Sequence, residues 1–253
     1  MNVFITGAST GIGAALARYY AGQGATLGLF ARRDDALAGL AAALAPATCA
    51  SYAGDVRDAG AVRNAGADFI RRFGTPDIVI ANAGISVGTS TQHIEDAAVF
   101  RAVLDTNVLG IVHTFQPFLG AMLESHRGKL VGIASVAGFR GLPGAGAYSA
   151  SKAAAIAYLE SLRVETVGSG VAVITICPGY IATTMTAKNP YPMPFLLPVD
   201  KAATLIARAI ARSRRFYVLP WQMALLGRLL RVLPRPLYDA VFARAQRKPR
   251  ASA

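Results

Sequence analysis

Six short runs of apolar residues, at 2–6, 26–31, 47–52, 77–81, 129–134 and 171–177, alternate with longer stretches of helical pattern near 11–23, 34–45, 58–73, 96–124, 147–168 and 200–212. A strand that is apolar at nearly every position must be covered on both faces. A helix between successive strands is the connection that lets them run parallel. The pattern therefore predicts an α/β fold, a doubly wound parallel sheet with helices on both faces. A weaker strand is expected at 215–219. No internal repeat or low-complexity linker divides the chain, so one domain is expected over 1–215, followed by a basic, partly amphipathic helical extension over 216–253.

With 253 residues, 53% of them apolar and only 16% charged, the chain can bury a large core and lacks the composition of a disordered segment. Its net charge of +12 is unevenly placed. Residues 1–200 hold 14 Lys and Arg against 13 Asp and Glu, whereas residues 201–253 hold 12 basic residues and one acid, Asp239. A basic tail on a nearly neutral domain argues against a nucleic-acid partner, because the domain has no basic face of its own. Within the tail, Trp221 to Leu233 sets leucine pairs against Arg228 and Arg231. Such a helix could lie on an anionic bilayer, or pack its apolar face on the domain or on another subunit. One or two helices are expected over 221–247, broken at Pro234 and Pro236. The Pro-rich stretch 187–198 reads as a mobile loop or lid.

Cys49 and Cys177 match no ligand or redox spacing and read as two buried thiols in a reducing compartment. His93, His113 and His126 form no metal pattern, and no metal site is expected. No basic region followed by a long apolar one opens the chain, and no run of about 18 uncharged apolar residues occurs, so neither a secretory signal nor a spanning helix is expected. The expected location is the cytoplasm, with a peripheral membrane contact through 221–247 left open.

Between the first strand and the first helix stands Thr6-Gly7-Ala8-Ser9-Thr10-Gly11-Ile12-Gly13. Glycines there permit a tight turn and close approach of the backbone to a pyrophosphate, and the helix N-terminus presents free N–H groups. The T-G-x-x-x-G-x-G spacing departs from the general dinucleotide fingerprint, but its place between strand and helix is the one dinucleotide binding requires. The second strand ends in Ala31-Arg32-Arg33, about where a carboxylate would bind the ribose 2′-hydroxyl of NAD. Its absence removes repulsion toward a 2′-phosphate, and guanidinium can bind phosphate bidentately, so NADP is expected over NAD. Alternatively Arg32 and Arg33 are solvated, or neutralised by Asp34 and Asp35.

Tyr148 and Lys152 stand four apart in Gly146-Ala147-Tyr148-Ser149-Ala150-Ser151-Lys152, at the start of an alanine-rich helical stretch. Residues i and i+4 share a helix face, so the ammonium can sit beside the phenol and stabilise phenolate. That makes the phenol an acid or base for proton transfer. Read alone, the pair could equally be an exposed helix contact with no chemistry.

Taken with the glycine turn, Asp55-Val56, Asn82-Ala83-Gly84, Asn107, Ser135 and Pro178-Gly179 with Thr183, the chain resembles the short-chain dehydrogenase/reductase family in its branch of about 250 residues, over roughly 1–215. The resemblance implies a Rossmann-like fold and an oxidoreductase that interconverts a carbonyl and an alcohol. By that likeness Gly7, Ser9, Thr10, Gly11, Ile12 and Gly13 cradle the cofactor. Asp55 would bond the adenine amino group with Val56 near the ring, and Asn82, Ala83 and Gly84 would lie beneath the cofactor. Pro178, Gly179, Ile181 and Thr183 would meet its nicotinamide end. Ala81 stands where the family usually has a first asparagine.

The implied catalytic set is Asn107, Ser135, Tyr148 and Lys152. Tyr148 exchanges the proton, Lys152 keeps the phenol acidic and bonds the nicotinamide ribose, Ser135 positions the carbonyl, and Asn107 helps hold a water near the lysine. Dimers or tetramers built on the helices 96–124 and 147–168 are also implied. The apolar residues Met185 and 190–197 suit a hydrophobic substrate and contain no evident anchor for an anion. The competing class is a non-catalytic NADP-binding sensor or scaffold, which would have no use for Tyr148, Lys152, Ser135 and Asn107 together. A nucleotide-sugar epimerase or dehydratase would need a larger substrate domain.

Overall fold

The computed structural model describes residues 1–187 and 189–250. Lys188, in the expected lid, and residues 251–253 of the expected extension lie outside the described residues. In chain order the main elements are β1 (Asn2–Thr6), α1 (Gly11–Ala21), β2 (Thr26–Ala31), α2 (Asp34–Ala43), β3 (Cys49–Ala53), α3 (Ala59–Phe73), β4 (Ile78–Ala81), α4 (Asp96–Leu104), α5 (Gly110–Glu124), β5 (Gly128–Ile133) and α6 (Gly146–Glu165). They continue with β6 (Val171–Pro178), β7 (Ile181–Ala182), β8 (Leu197–Pro198), α7 (Val199–Ala211), β9 (Phe216–Leu219), α8 (Trp221–Val232) and α9 (Arg235–Phe242).

Seven strands form one wholly parallel sheet in the order β3-β2-β1-β4-β5-β6-β9, and β7 pairs with β8 in a separate two-stranded piece. Successive side chains of a strand face opposite sides. In β1, Val3 and Ile5 enter the core beneath α1, α2 and α7 with Leu16, Leu37, Ile206 and Ile210. Phe4 enters the other core, beneath α3, α5 and α6, with Phe69, Phe115, Phe118 and Leu159. There the Phe4 ring lies 4.8 Å from Phe118 and 5.5 Å edge-on from Phe69, each such pair adding about 0.5–1.5 kcal/mol to area burial. Because β1 pairs with β2 on one side and β4 on the other, successive connections leave in opposite directions and open a crevice at the strand carboxyl ends.

The expected helix over 96–124 is interrupted. Residues Asp105–Leu109 form a turn of π-helix between α4 and α5, with Thr106 and Asn107 buried. By length and composition this helical run could cross a membrane. In this fold it covers the sheet, with Phe115, Phe118 and Met122 in the core. Cys177 is buried, but Cys49 is partly exposed, so only one of the two thiols is interior as expected. Pro236 does not break a helix. It sits in the first turn of α9, where its missing N–H is tolerated, and the break falls at Leu233-Pro234.

Helices α8 and α9 pack on the loop preceding α6. Met223 and Gly227 face inward, with Met223 against Gly179 and Gly227 against Phe139. Arg140 donates to the carbonyls of Leu230 (3.0 Å) and Leu233 (3.1 Å), satisfying the end of α8, and stacks 4.2 Å from the Tyr238 ring. The outward face of α8 carries Trp221, Leu225, Leu229 and Val232, each more than half exposed.

Candidate active site

The crevice at the carboxyl ends of the central strands is a cleft of about 680 Å³. Every site residue expected from the sequence lines it except Gly13 and Asn107, which lie just behind its wall. Gly7, at φ +66°, turns the chain out of β1, and a Cβ there would come within 2.7 Å of the Ala83 backbone. Gly13 packs on the Gly7 carbonyl so closely that a Cβ would overlap it. Bare backbone at these points lets α1 present its N-terminus to the cleft, a cradle that could hold a pyrophosphate. Asn82 ties the turn to β4, donating through Nδ2 to the carbonyls of Thr6 and Gly7, both at 3.1 Å.

At one end of the cleft, Arg32 and Arg33 are exposed, and neither forms an ion pair among the described residues, so Asp34 and Asp35 leave them free. Asp55 accepts from Arg57 Nη2 at 2.7 Å and from the Arg57 backbone N–H at 2.9 Å. Hydrogen bonding from Arg57 holds its carboxyl below the usual range.

At the other end, β5, α6 and β6 bring Ser135, Tyr148, Lys152 and Pro178 together. Lys152 is buried, and its Nζ donates to the Ile133 carbonyl at 2.8 Å while standing 5.8 Å from the Tyr148 ring centre. Burial lowers the Lys152 pKa to about 8. Burial also raises the Tyr148 phenol, opposed by hydrogen bonding with Ser135. From the sequence, Lys152 is expected to hold the phenol below its ordinary value; here the phenol stands above it, because desolvation of the phenolate outweighs the hydrogen bond with Ser135. The neighbouring Cys177 thiol is pushed up to about 12 by burial, so it stays neutral. Ser135 Oγ accepts from the Ala137 N–H at 3.1 Å and reaches the Pro178 carbonyl at 3.4 Å, which fixes its rotamer at the cleft wall.

Asn107 reaches the site from the π turn. Its Oδ1 accepts from the Ile85 N–H at 2.8 Å, and Nδ2 donates to the Ile85 carbonyl (2.9 Å) and to Ser151 Oγ (3.0 Å). Thr183 abuts Gly11 and hydrogen-bonds Thr186, which also lines the cleft. Thr186 was not expected from the sequence, where nothing separates it from an ordinary loop threonine. Nor was Lys248, whose Nζ stands 5.7 Å from the Tyr148 ring centre.

A parallel doubly wound sheet with a glycine cradle and a tyrosine–lysine pair at its carboxyl edge defines an oxidoreductase of the nicotinamide-nucleotide type. The family model for short chain dehydrogenase matches residues 1–192, and the chain belongs to the short-chain dehydrogenase/reductase family. It is an enzyme of that family acting on CH–OH groups with NAD(P) as acceptor. An uncharacterized oxidoreductase of Myxococcus xanthus is 40% identical over 245 residues, 96% of each chain. Among solved structures, an alcohol dehydrogenase from the archaeon Thermococcus sibiricus, complexed with 5-hydroxy-NADP, is 28% identical with a TM-score of 0.76, over 86% of this chain and 94% of that one. A 3-oxoacyl-[acyl-carrier protein] reductase from Brucella melitensis with bound NAD is also 28% identical, with a TM-score of 0.75 over 86% of this chain and 88% of that one.

Proposed function

We propose that the protein is an NADP-dependent carbonyl reductase in which Tyr148 is the general acid. The observation that carries this reading is the buried Lys152 ammonium beside the Tyr148 ring, with Ser135 at the same wall. An ammonium held out of water without a carboxylate is costly, and such sites are where proton chemistry is found. A reduced nicotinamide bound in the cradle would supply the hydride chemistry at the carbonyl carbon. Ser135 donates a hydrogen bond to the carbonyl oxygen, and Tyr148 gives that oxygen its proton, leaving an alcohol. With its pKa raised, the phenol stays protonated at neutral pH and is ready to act as an acid. Lys152, near 8, remains mostly ammonium there and can return a proton to the phenolate. Asn107 orders the backbone of Ile85 and the start of α6 around them. A binder without catalysis would have no need of this arrangement.

The free guanidinium groups of Arg32 and Arg33 support NADP over NAD, and the glycine turn, Asp55 and Asn82 would hold the rest of the dinucleotide. Met185, Phe195 and Leu196, partly exposed around the segment after β7, support an apolar body for the substrate. Exposed Phe100, Leu109 and Val164 on the helices flanking the site support a homodimer or homotetramer formed there. The outward row of α8 with exposed Arg228 and Arg231 supports a peripheral contact with anionic lipid, for a protein otherwise placed in the cytoplasm. Co-sedimentation with anionic liposomes, lost on Leu225→Asp, tests that contact.

The catalytic assignment is tested with purified Tyr148→Phe and a panel of ketones. NADPH oxidation should fall by roughly 10²–10⁴ while NADPH binding, followed by fluorescence, stays intact. Full activity in the variant would refute Tyr148 as the acid.

A further inference from the structure

The segment after α9 returns across the molecule to the active site. Its Pro249 carbonyl accepts from the Gly88 N–H at 3.0 Å, and Gly88 and Arg250 form a parallel bridge. Arg250 grips Asp96 through Nε (2.8 Å) and Nη2 (2.9 Å), and Nη2 also reaches Glu95 at 2.8 Å. On the other side Gly144 lies directly against Arg247 and Lys248, and its carbonyl accepts from Thr89 N–H at 3.1 Å. The tail thus runs between residues 86–90 and the loop before α6, and the two close on it.

This threading places Lys248. Its Nζ donates to Ser86 Oγ at 2.6 Å and stands 5.7 Å from the Tyr148 ring centre. Among the described residues no carboxylate lies within ion-pairing distance of it, since Asp96 and Glu95 are engaged by Arg250. Burial pulls its pKa down, as for a cation withdrawn from water without a counter-ion. It differs in this from Arg250, which the same tail pairs with two acids.

We propose that Lys248 is a specificity residue, pairing with an anionic end group, a carboxylate, on a carbonyl compound whose reacting carbonyl lies at Tyr148. The proposal rests on the reductase reading and adds a substrate class to it: an apolar body with a negatively charged end a few bonds from the carbonyl. Met185, which lines the cleft, then meets the body, and the tail supplies a charge that the apolar residues Met185 and 190–197 lack.

The test compares 4-oxo-4-phenylbutanoate with its neutral methyl ester, in reduction by NADPH and in calorimetric binding to NADP-loaded full-length protein. The native enzyme should favour the acid by about tenfold or more, the size of one charge-assisted contact, chiefly in KM. Lys248→Met should erase that preference, and Lys248→Arg should keep it. Ser86→Asp, which gives the ammonium an internal partner, should erase it too, and guards against a Met variant that merely loosens the tail. Equal handling of acid and ester by the native protein overturns the proposal, as does a preference that survives in Lys248→Met. Tyr148→Phe should lose reduction of both compounds yet still bind the acid more tightly. Reduction surviving in that variant would count against Tyr148 as the acid and not against the anchor.

Discussion

Asn107 and Ser151 join the two helices that frame the active site, Asn107 Nδ2 donating to Ser151 Oγ at 3.0 Å. Ser151 in turn donates to the Tyr148 carbonyl at 2.8 Å. One buried amide therefore links the π turn, the Ile85 backbone and the first turns of α6. Asn107→Leu would leave the Ile85 N–H and carbonyl without their partner and should cost about 2–4 kcal/mol, since each orphaned buried group costs roughly 1–3 kcal/mol. Urea unfolding measures the loss, and a change below about 0.5 kcal/mol would show that the network does not brace the site.

Lys152 makes stability depend on pH in a set direction. Its folded pKa of about 8 lies below its ordinary 10.5, so between these values the folded protein binds fewer protons than the unfolded chain. Stability conferred by position 152 therefore rises with pH across that window, and below it the buried ammonium carries its full cost, on the order of 3 kcal/mol. Tyr148 and Cys177 are present in both proteins compared. The unfolding free energy of the native protein relative to Lys152→Met should improve from pH 8 to 10, and a flat difference would contradict the shift. In the reduction assay, kcat/KM should decline above pH 8 as the ammonium is lost, with Tyr148 still protonated.

Arg32 and Arg33 set the cofactor preference if the 2′-phosphate lies against them. Substituting either with alanine should raise the Kd for NADPH roughly 10- to 100-fold, the value of a hydrogen bond to a charged group. NADH binding should be nearly unaffected. Equal weakening for both cofactors would mean that the arginines act on something other than the phosphate.

The ion pair between Arg250 and Asp96 holds the tail in place, with Asp96 kept below the usual carboxylate range by hydrogen bonding from Arg250. Asp96→Asn removes the charge at nearly constant shape. Trypsin should then cut after Arg244 or Arg247 faster than in the native protein, with the domain intact by mass spectrometry. Unchanged cleavage would mean that the contact with Gly88 alone retains the segment.

The sheet was legible because its strands are apolar almost throughout, and even the weak run before Pro220 became β9 against β6. The cradle and the tyrosine–lysine pair were legible because each is a local arrangement, a turn or one helix face. Asn107 was legible only through the family likeness, and the π turn that seats it was not legible at all. The tail's path was hidden. It depends on pairs such as Arg250 with Asp96, 154 residues apart in the chain, and a run of basic residues reads the same whether it wanders in water or returns to a cleft. The reversed shift at Tyr148 was equally out of reach, because spacing reports a neighbouring charge and not the solvent lost.

The π turn at Asp105–Leu109 holds one residue more than an ordinary helical turn would, in the middle of the long helix beside the sheet. Deleting a single residue there would restore regular α-helix while rotating one half against the other by about 100°. Either Asn107 would swing away from Ile85 and Ser151, or Phe115 and Phe118 would leave the core. The helix can be regular or it can serve both faces, and this chain's extra residue is what lets a packing helix also furnish a polar side chain that braces the wall of the cleft.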